Sequence, residues 1–279
     1  MHNVKNYILL LLILGLAFFS CNKQDLEAEV PSYVYINNFS FSSDYATQGT
    51  SSNLIPDAWV YINQELIGVF ELPVKIPIIK EGVFQIEVYP GIKENGISER
   101  RKRYLYYAPH VEQILLQKNK VIEISPSSTY LSSTKFSWLE DFEQASIPFT
   151  YNVISDTTMH KTTSAYEGIY SGRVQMVPTM DFFECISPPL TNLPSFGSTI
   201  FMELDFKTNQ PVLVGLYADT EQVGLFYLNT TASWKKIYLN FSEAFQSNPG
   251  ASQYRIFFGF QNNVSYPEFF IDNIKIVHF

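Results

Sequence analysis

The chain has 279 residues, a formal charge of −8 and two cysteines, and 16% of its residues are aromatic. An acidic chain argues against nucleic acid as a partner, because phosphate backbones demand clustered positive charge. Two cysteines exclude a disulfide scaffold, so stability must come from a hydrophobic core, and the length exceeds what one core organises, so two domains are expected.

The first element is an apolar run from Tyr7 to Phe19, preceded by Lys5 and closed by the small residue Ser20. This pattern predicts a signal peptide over residues 1–20. The competing reading is an uncleaved anchor helix, which needs roughly 20 apolar residues, whereas this run is shorter and ends in Ser20-Cys21. Phe18-Phe19-Ser20-Cys21 resembles the bacterial lipobox, matching it at Ser20 and Cys21 and departing from it at Phe18 and Phe19, in the looser manner of Bacteroidota lipoproteins. The resemblance implies that Cys21 is acylated and becomes the mature N-terminus, so that acyl chains hold the protein at the outer membrane without spanning it. Cleavage removes Lys5 and takes the charge from −8 to −9. Residues 21–30 then form a tether whose acidic residues Asp25, Glu27 and Glu29 resemble an export signal to the outer leaflet. An ordinary solvated tether is the other reading, so the periplasmic face stays open beside the preferred cell surface.

Abundant Tyr, Phe, Val, Ile and Thr, with no long stretch of apolar residues at helical spacing, predict an all-β chain. Residues 31–126 read as a small antiparallel β-sandwich. Its segments are 33–36, a hairpin of 58–62 with 66–70 turning at 63–65, and 83–89, where Gln85 and Glu87 lie opposite Phe84, Ile86 and Val88. A second hairpin is expected from 111–116 and 120–124, turning at Lys118-Asn119. Pro73 and Pro77 make the stretch around them an edge or a connection. The portion from Val60 through Gly68 and Leu72-Pro73 to Val88 resembles the PEGA-type module of bacterial surface proteins, and an Ig-like domain shares that pattern. The resemblance implies a spacer or interaction module.

The polar stretch 127–135, after Pro126, reads as a linker. Beyond it, strands are predicted at 136–142, 170–177, 199–206, 212–218, 223–228, 234–241, 255–260 and 269–277, which suggests a β-jelly-roll sandwich over 136–279. Glu140-Asp141-Phe142-Glu143, the segment Ser164 to Val174, Trp234 to Phe241 and Phe270-Ile271-Asp272-Asn273-Ile274 resemble, in order and spacing, the galactose-binding-like jelly roll of carbohydrate-binding modules. That fold hosts sugar binding, protein docking and structural roles alike. The resemblance implies that Glu143 and Asp272 hold a structural Ca2+, for which hard oxygen ligands are suited. Alternation places Asp272 beside Phe270, Ile274 and Ile276 on the core face, where a carboxylate needs compensation. Capping of backbone amides is the equal alternative.

Sugar recognition would need exposed aromatic rings beside hydrogen-bonding side chains, and Tyr217, Tyr227, Arg255, Phe257 and Gln261 are the candidates. For each of them, packing in a second layer is the competing reading. No catalytic set is legible. Glu140, Asp141, Glu143, Glu203 and Asp205 could in principle supply a carboxylate pair, but Glu203 and Asp205 read as the polar face of an amphipathic strand. His110, His160 and His278 stand outside any hydrolase motif. The expectation is a binding protein without enzymatic activity, and its partner is a glycan or an envelope protein. Cys185 reads as a buried inert thiol, and Arg100-Arg101-Lys102-Arg103 as a solvated loop with anionic headgroups or glycans as its sharper reading. Asp156-Thr157-Thr158 resembles the Bacteroidota O-glycosylation motif at Thr157.

Overall fold

Segments in which β-branched and aromatic residues alternate with polar ones become strands, as the period-two pattern requires. A computed structural model describes residues 29–194 and 197–279, so the expected signal peptide, Cys21 and most of the tether lie outside the described residues. The first unit contains β1 (Ser32–Ile36), β2 (Ser40–Ser42), α1 (Tyr45–Gln48), β3 (Asp57–Ile62), β4 (Glu65–Glu71), β5 (Val74–Ile78), β6 (Gly82–Lys93), β7 (Arg101–Arg103), β8 (His110–Leu116), β9 (Val121–Ile124) and β10 (Ser127–Thr129). The second contains β11 (Lys135–Glu140), β12 (Thr150–Tyr151), β13 (His160–Thr162), β14 (Ser171–Gln175), β15 (Phe182–Ile186), β16 (Ile200–Thr208), β17 (Val212–Ala218), β18 (Glu221–Leu228), β19 (Lys235–Asn240), α2 (Ser242–Gln246), β20 (Tyr254–Gln261) and β21 (Glu268–His278). The chain is all-β, a small sandwich followed by a jelly-roll sandwich.

In the first unit, the sheet β5-β1-β9 packs on β4-β3-β6, with β8 and β7 pairing successive parts of β6. Val34, Ile36, Val60, Ile62, Ile86, Val88 and Leu116 fill the space between them. The β3–β4 hairpin turns through Asn63 and Gln64, both at positive φ, as a two-residue hairpin loop of matching twist requires. Pro77 sits in the edge strand β5. The expected hairpin of 111–116 with 120–124 does not form. Asn119 turns the chain, but β8 pairs with β6 while β9 crosses to run parallel to β1.

The second unit stacks β13-β14-β21-β16-β19, with β11 on β21, over β12-β15-β20-β17-β18. Phe142, Phe183, Cys185, Met202, Leu204, Leu216, Phe258, Phe269 and Ile274 interdigitate between the sheets. Burial pushes the Cys185 thiol well up, which keeps it protonated and unreactive.

Residues 127–135 are not a free linker. β10 pairs with β2, and Tyr130 is buried in a third apolar cluster with Tyr104, Tyr106, Tyr107, Phe201, Tyr238 and Val277. This cluster is the seam between the units. It covers the outer face of β16 and β19, so Glu203 and Asp205, expected on a solvated polar face, are fully buried. Glu203 accepts hydrogen bonds from the Tyr104 and Tyr130 hydroxyls at 2.7 and 2.9 Å. Asp205 accepts from Ser52 and Asn273, and Lys236 lies 3.5 Å from Glu203 and 3.8 Å from Asp205. Lys275 donates to the Thr50 carbonyl and to the Tyr130 hydroxyl. Burying such charges is tolerable only because each carboxylate has donors or a cation against it.

The basic run is strand β7 and its edge rather than a free loop. Arg101 pairs with Asp57 and Glu71, Lys102 with Glu94 at 3.0 Å, and the Arg103 guanidinium lies 4.5 Å from the Tyr89 ring centre. Three of its four cations are therefore already matched within the fold.

Candidate functional site

The outer face of the sheet β12-β15-β20-β17-β18 carries a cleft of about 450 Å³. Its floor lies where Glu184, Gly259 and Leu213 stand side by side on β15, β20 and β17, with Tyr227 opposite Leu213 on β18. Glycine is needed two residues further along β17, at the next position on the same face. A Cβ on Gly215 would collide with the Val223 carbonyl oxygen and the Phe257 ring, so that ring rests directly on bare backbone.

Alternation sends Leu216 and Phe258 into the core and Tyr217 and Phe257 to the cleft side. The five sugar-binding candidates then separate, and Tyr217, although on that side of the sheet, does not line the cleft. Tyr227 is 65% exposed and lines the cleft, and exposed Gln261 lies at its rim, opposite Phe182. Phe257 lines it from below but is only 1% exposed, with Tyr217 edge-to-face at 5.3 Å, so it is a floor residue and not a stacking platform. Arg255 stands opposite Tyr217, turns toward Gln253 at 3.4 Å and does not line the cleft.

The residue that organises the site is Glu184, which is not among the residues expected from sequence. It is 3% exposed, and its carboxylate accepts from the Tyr217 hydroxyl at 2.8 Å, Asn152 Nδ2 at 2.9 Å and Gln222 Nε2 at 2.6 Å. Burial and the bond to Glu184 push the Tyr217 phenol up to about 12, so it stays a donor at any ordinary pH. The signal was present in Phe182-Phe183-Glu184-Cys185-Ile186. Phe183 and Cys185 alternate into the core, which puts Glu184 on the outer face.

Glu143 and Asp272 converge on one loop, 164–170, as the calcium expectation requires, but amides of that loop bond one oxygen of each. Glu143 Oε1 accepts from the Ile169 and Tyr170 N–H groups at 2.7 and 2.9 Å, and Asp272 Oδ2 from Tyr166 at 2.9 Å. A site lined by the positive ends of N–H dipoles fits a cation poorly. Among the described residues no group of three His, Cys, Asp or Glu side chains is placed to hold a metal ion. Asp272 also does not share a face with Ile274 and Ile276. Asn273, at φ 51°, bulges the strand and shifts its phase, so Phe269 and Ile271 face the core before it and Ile274 and Ile276 after it. Asp272 is buried instead beneath the 164–167 backbone.

Thr157 is half-buried, and the neighbouring Asp156 carboxylate caps the Asp181 and Phe182 amides. Glu140 is buried and bonded to the Phe142 amide, whereas Asp141 binds the Tyr45 hydroxyl, so these two acids do not face each other across a cleft.

No family model and no curated protein matches the chain. Among solved structures, one described as a carbohydrate-binding module of the β-sandwich superfamily is 11% identical, covers 79% of this chain and 84% of its own, and has a TM-score of 0.38. The family 11 carbohydrate-binding module from Clostridium thermocellum, solved with a mixed-linked β-1,3-1,4 tetrasaccharide, is 17% identical over 51% of this chain and 94% of its own, with a TM-score of 0.36. The K3 cleaved adhesin domain of Lys-gingipain from Porphyromonas gingivalis is 12% identical over 52% of this chain and 99% of its own, with a TM-score of 0.37. All three scores lie below 0.5, and the functional reading rests on the cleft itself.

Proposed function

We propose that this protein is a non-catalytic recognition protein, anchored through Cys21 to a bacterial outer membrane, that binds glycan in the cleft of its second unit. The observation that carries the reading is the Tyr227 ring, 65% exposed beside a cleft whose floor holds the Glu184–Tyr217–Asn152–Gln222 network. A free ring packs on the apolar face of a pyranose, and fixed polar groups next to it engage hydroxyls. The first unit acts as a rigid pedestal for that face.

The test is binding to a polysaccharide panel by affinity electrophoresis. Tyr227→Ala should weaken binding at least about tenfold, since an aromatic anchor is worth on the order of 2 kcal/mol, and should leave the melting temperature in place. Loss of binding to every glycan in the wild type would end the glycan reading. Acylation is tested separately, since labelled fatty acid should enter the wild type and not Cys21→Ala.

A second reading, an accessory subunit of an envelope assembly, is favoured by one observation. Leu66, Val69, Val83, Val111 and Leu115 are exposed on the outer sheet face of the first unit. Stoichiometric partners recovered from envelope extracts by the wild type, with no glycan bound, would support it.

A further inference from the structure

The directions of the hydrogen bonds around Glu184 limit what the cleft can accept. An ionised carboxylate only accepts. Tyr217, Asn152 and Gln222 must therefore each turn a donor inward, onto a carboxylate that is 3% exposed. Once the Gln222 amide nitrogen is committed to Glu184, its carbonyl oxygen is directed away, and Gln222 itself is exposed. The Tyr217 hydroxyl likewise spends its proton on Glu184, from outside the lining. Asn152 Oδ1 is engaged by the Ile154 amide. The network thus spends one N–H of each amide on Glu184 and turns Gln222 Oε1 outward as an acceptor, while the second N–H of Asn152 and of Gln222 stays available to a hydroxyl oxygen.

The charge points the same way. Glu184 is the only charged residue in the lining, which otherwise consists of apolar side chains, Tyr227 and the amides Asn152, Gln222, Gln261 and Asn263. Arg255, the cation nearest in register, leans to Gln253 and stays outside. Exposed Asp181 precedes Phe182 at one end, and exposed Glu221 precedes Gln222 at the other. Because Glu184 is buried, salt screens its field weakly.

We propose that the cleft selects neutral, hydroxyl-rich glycan and rejects chains bearing uronate or sulfate. A sugar hydroxyl can both donate to the outward Gln222 oxygen and accept from the amide N–H groups of the lining, whereas an anion cannot donate and would bring a second negative charge against Glu184, with no cation in the lining to offset it. This inference rests on the glycan-binding reading of the same cleft.

The experiment is an array of neutral, uronate-containing and sulfated polysaccharides probed with the purified chain at low and high salt. Binding should be confined to neutral polymers and change less than about twofold with salt. Gln222→Lys keeps a donor to Glu184 while removing the outward acceptor and adding a cation. It should weaken neutral binding about tenfold, the scale of one well-made hydrogen bond, and should raise binding to acidic polymers. Gln222 is exposed, so the variant is expected to fold, and an unchanged melting temperature verifies this. Uronate or sulfated chains bound as well as neutral ones by the wild type would overturn the selectivity and leave the glycan reading intact. Absence of all binding would remove both, and a Gln222→Lys profile identical to wild type would detach the selectivity from this network.

Discussion

The Tyr104 hydroxyl reaches across the seam to donate to Glu203 Oε1 at 2.7 Å, joining residues 99 positions apart in the chain. Tyr130 takes the other oxygen, and Lys236 and Lys275 flank the pair from β19 and β21. The units are coupled by charged groups that water cannot reach, which makes their separation expensive.

That coupling predicts a single unfolding event. Trp59 reports on the first unit and Trp138 and Trp234 on the second, so urea denaturation followed by fluorescence and by circular dichroism should give coincident curves. Tyr104→Phe removes one donor from a buried carboxylate and should cost about 1.5–3 kcal/mol without splitting the transition. Two separated transitions in the wild type would contradict the picture of a fused pair.

The floor of the cleft depends on a missing side chain. Gly215→Ala would press a methyl group onto the Val223 carbonyl and the Phe257 ring. Neither can yield without moving β17 against β18 or β20, so a loss of roughly 3 kcal/mol is expected. Gly250→Ala, where a Cβ meets nothing within 4 Å, should stay within about 0.5 kcal/mol of wild type. Equal melting temperatures for the two variants would refute the packing argument.

Acidic buried groups set a pH dependence. Burial pushes the Glu140 carboxyl up to about 7 from an ordinary 4.5, against the opposing bond from the Phe142 amide, and the Asp272 carboxyl up to about 7 from 3.8. Between roughly pH 4 and 7 the folded chain therefore holds more protons than the unfolded one, and stability falls as pH rises through that window. Glu140→Gln keeps an acceptor for the Phe142 amide but cannot ionise. It should flatten the profile and remove as much as about 3 kcal/mol of it. Denaturation midpoints measured from pH 4.5 to 7.5 check the slope, which would have to be unchanged in the variant for the assignment to fail. Lys275, pushed down to about 8 by burial, acts with the opposite sign at higher pH, where stability should rise from about 8 toward its ordinary 10.5.

Calcium should do little. Amides of the 166–170 segment already bond one oxygen of each carboxylate, Glu143 Oε1 and Asp272 Oδ2, and so surround the place a cation would take with N–H dipoles. Melting curves with millimolar calcium and with chelator are expected to superimpose, and a rise of several degrees with calcium would restore the metal site that the family resemblance implies.

Strand positions were largely legible because half-buried strands alternate. The segments expected around 212–218 and 255–260 coincide closely with β17 and β20. Alternation says which residues share a face, but not what covers it. Glu203 and Asp205 looked solvated because their cover, Tyr104, Tyr107 and Tyr130, comes from a separate stretch of chain. A cluster of tyrosines at 104–107, apolar in bulk and able to donate, was the available hint. Simple alternation places Asp272 on the wrong face because one residue in a left-handed conformation, Asn273, reverses the parity of a strand, and asparagine tolerates that conformation without marking it in sequence. Glu184 escaped notice because β15 is short and its alternation spans only five residues.

Burial of Tyr130 within the seam removes the joint that a two-module chain would ordinarily have between its parts. The angle at which the cleft faces outward is thus fixed relative to Ser32, where the first strand begins. The sheet that carries the cleft therefore cannot swivel against the first unit. If Cys21 anchors the chain and the cleft binds glycan, as proposed, the aim of the cleft is set upstream of that strand, so lengthening or stiffening the leading segment should change how fast a surface-bound polymer is captured while leaving the affinity of the free chain untouched.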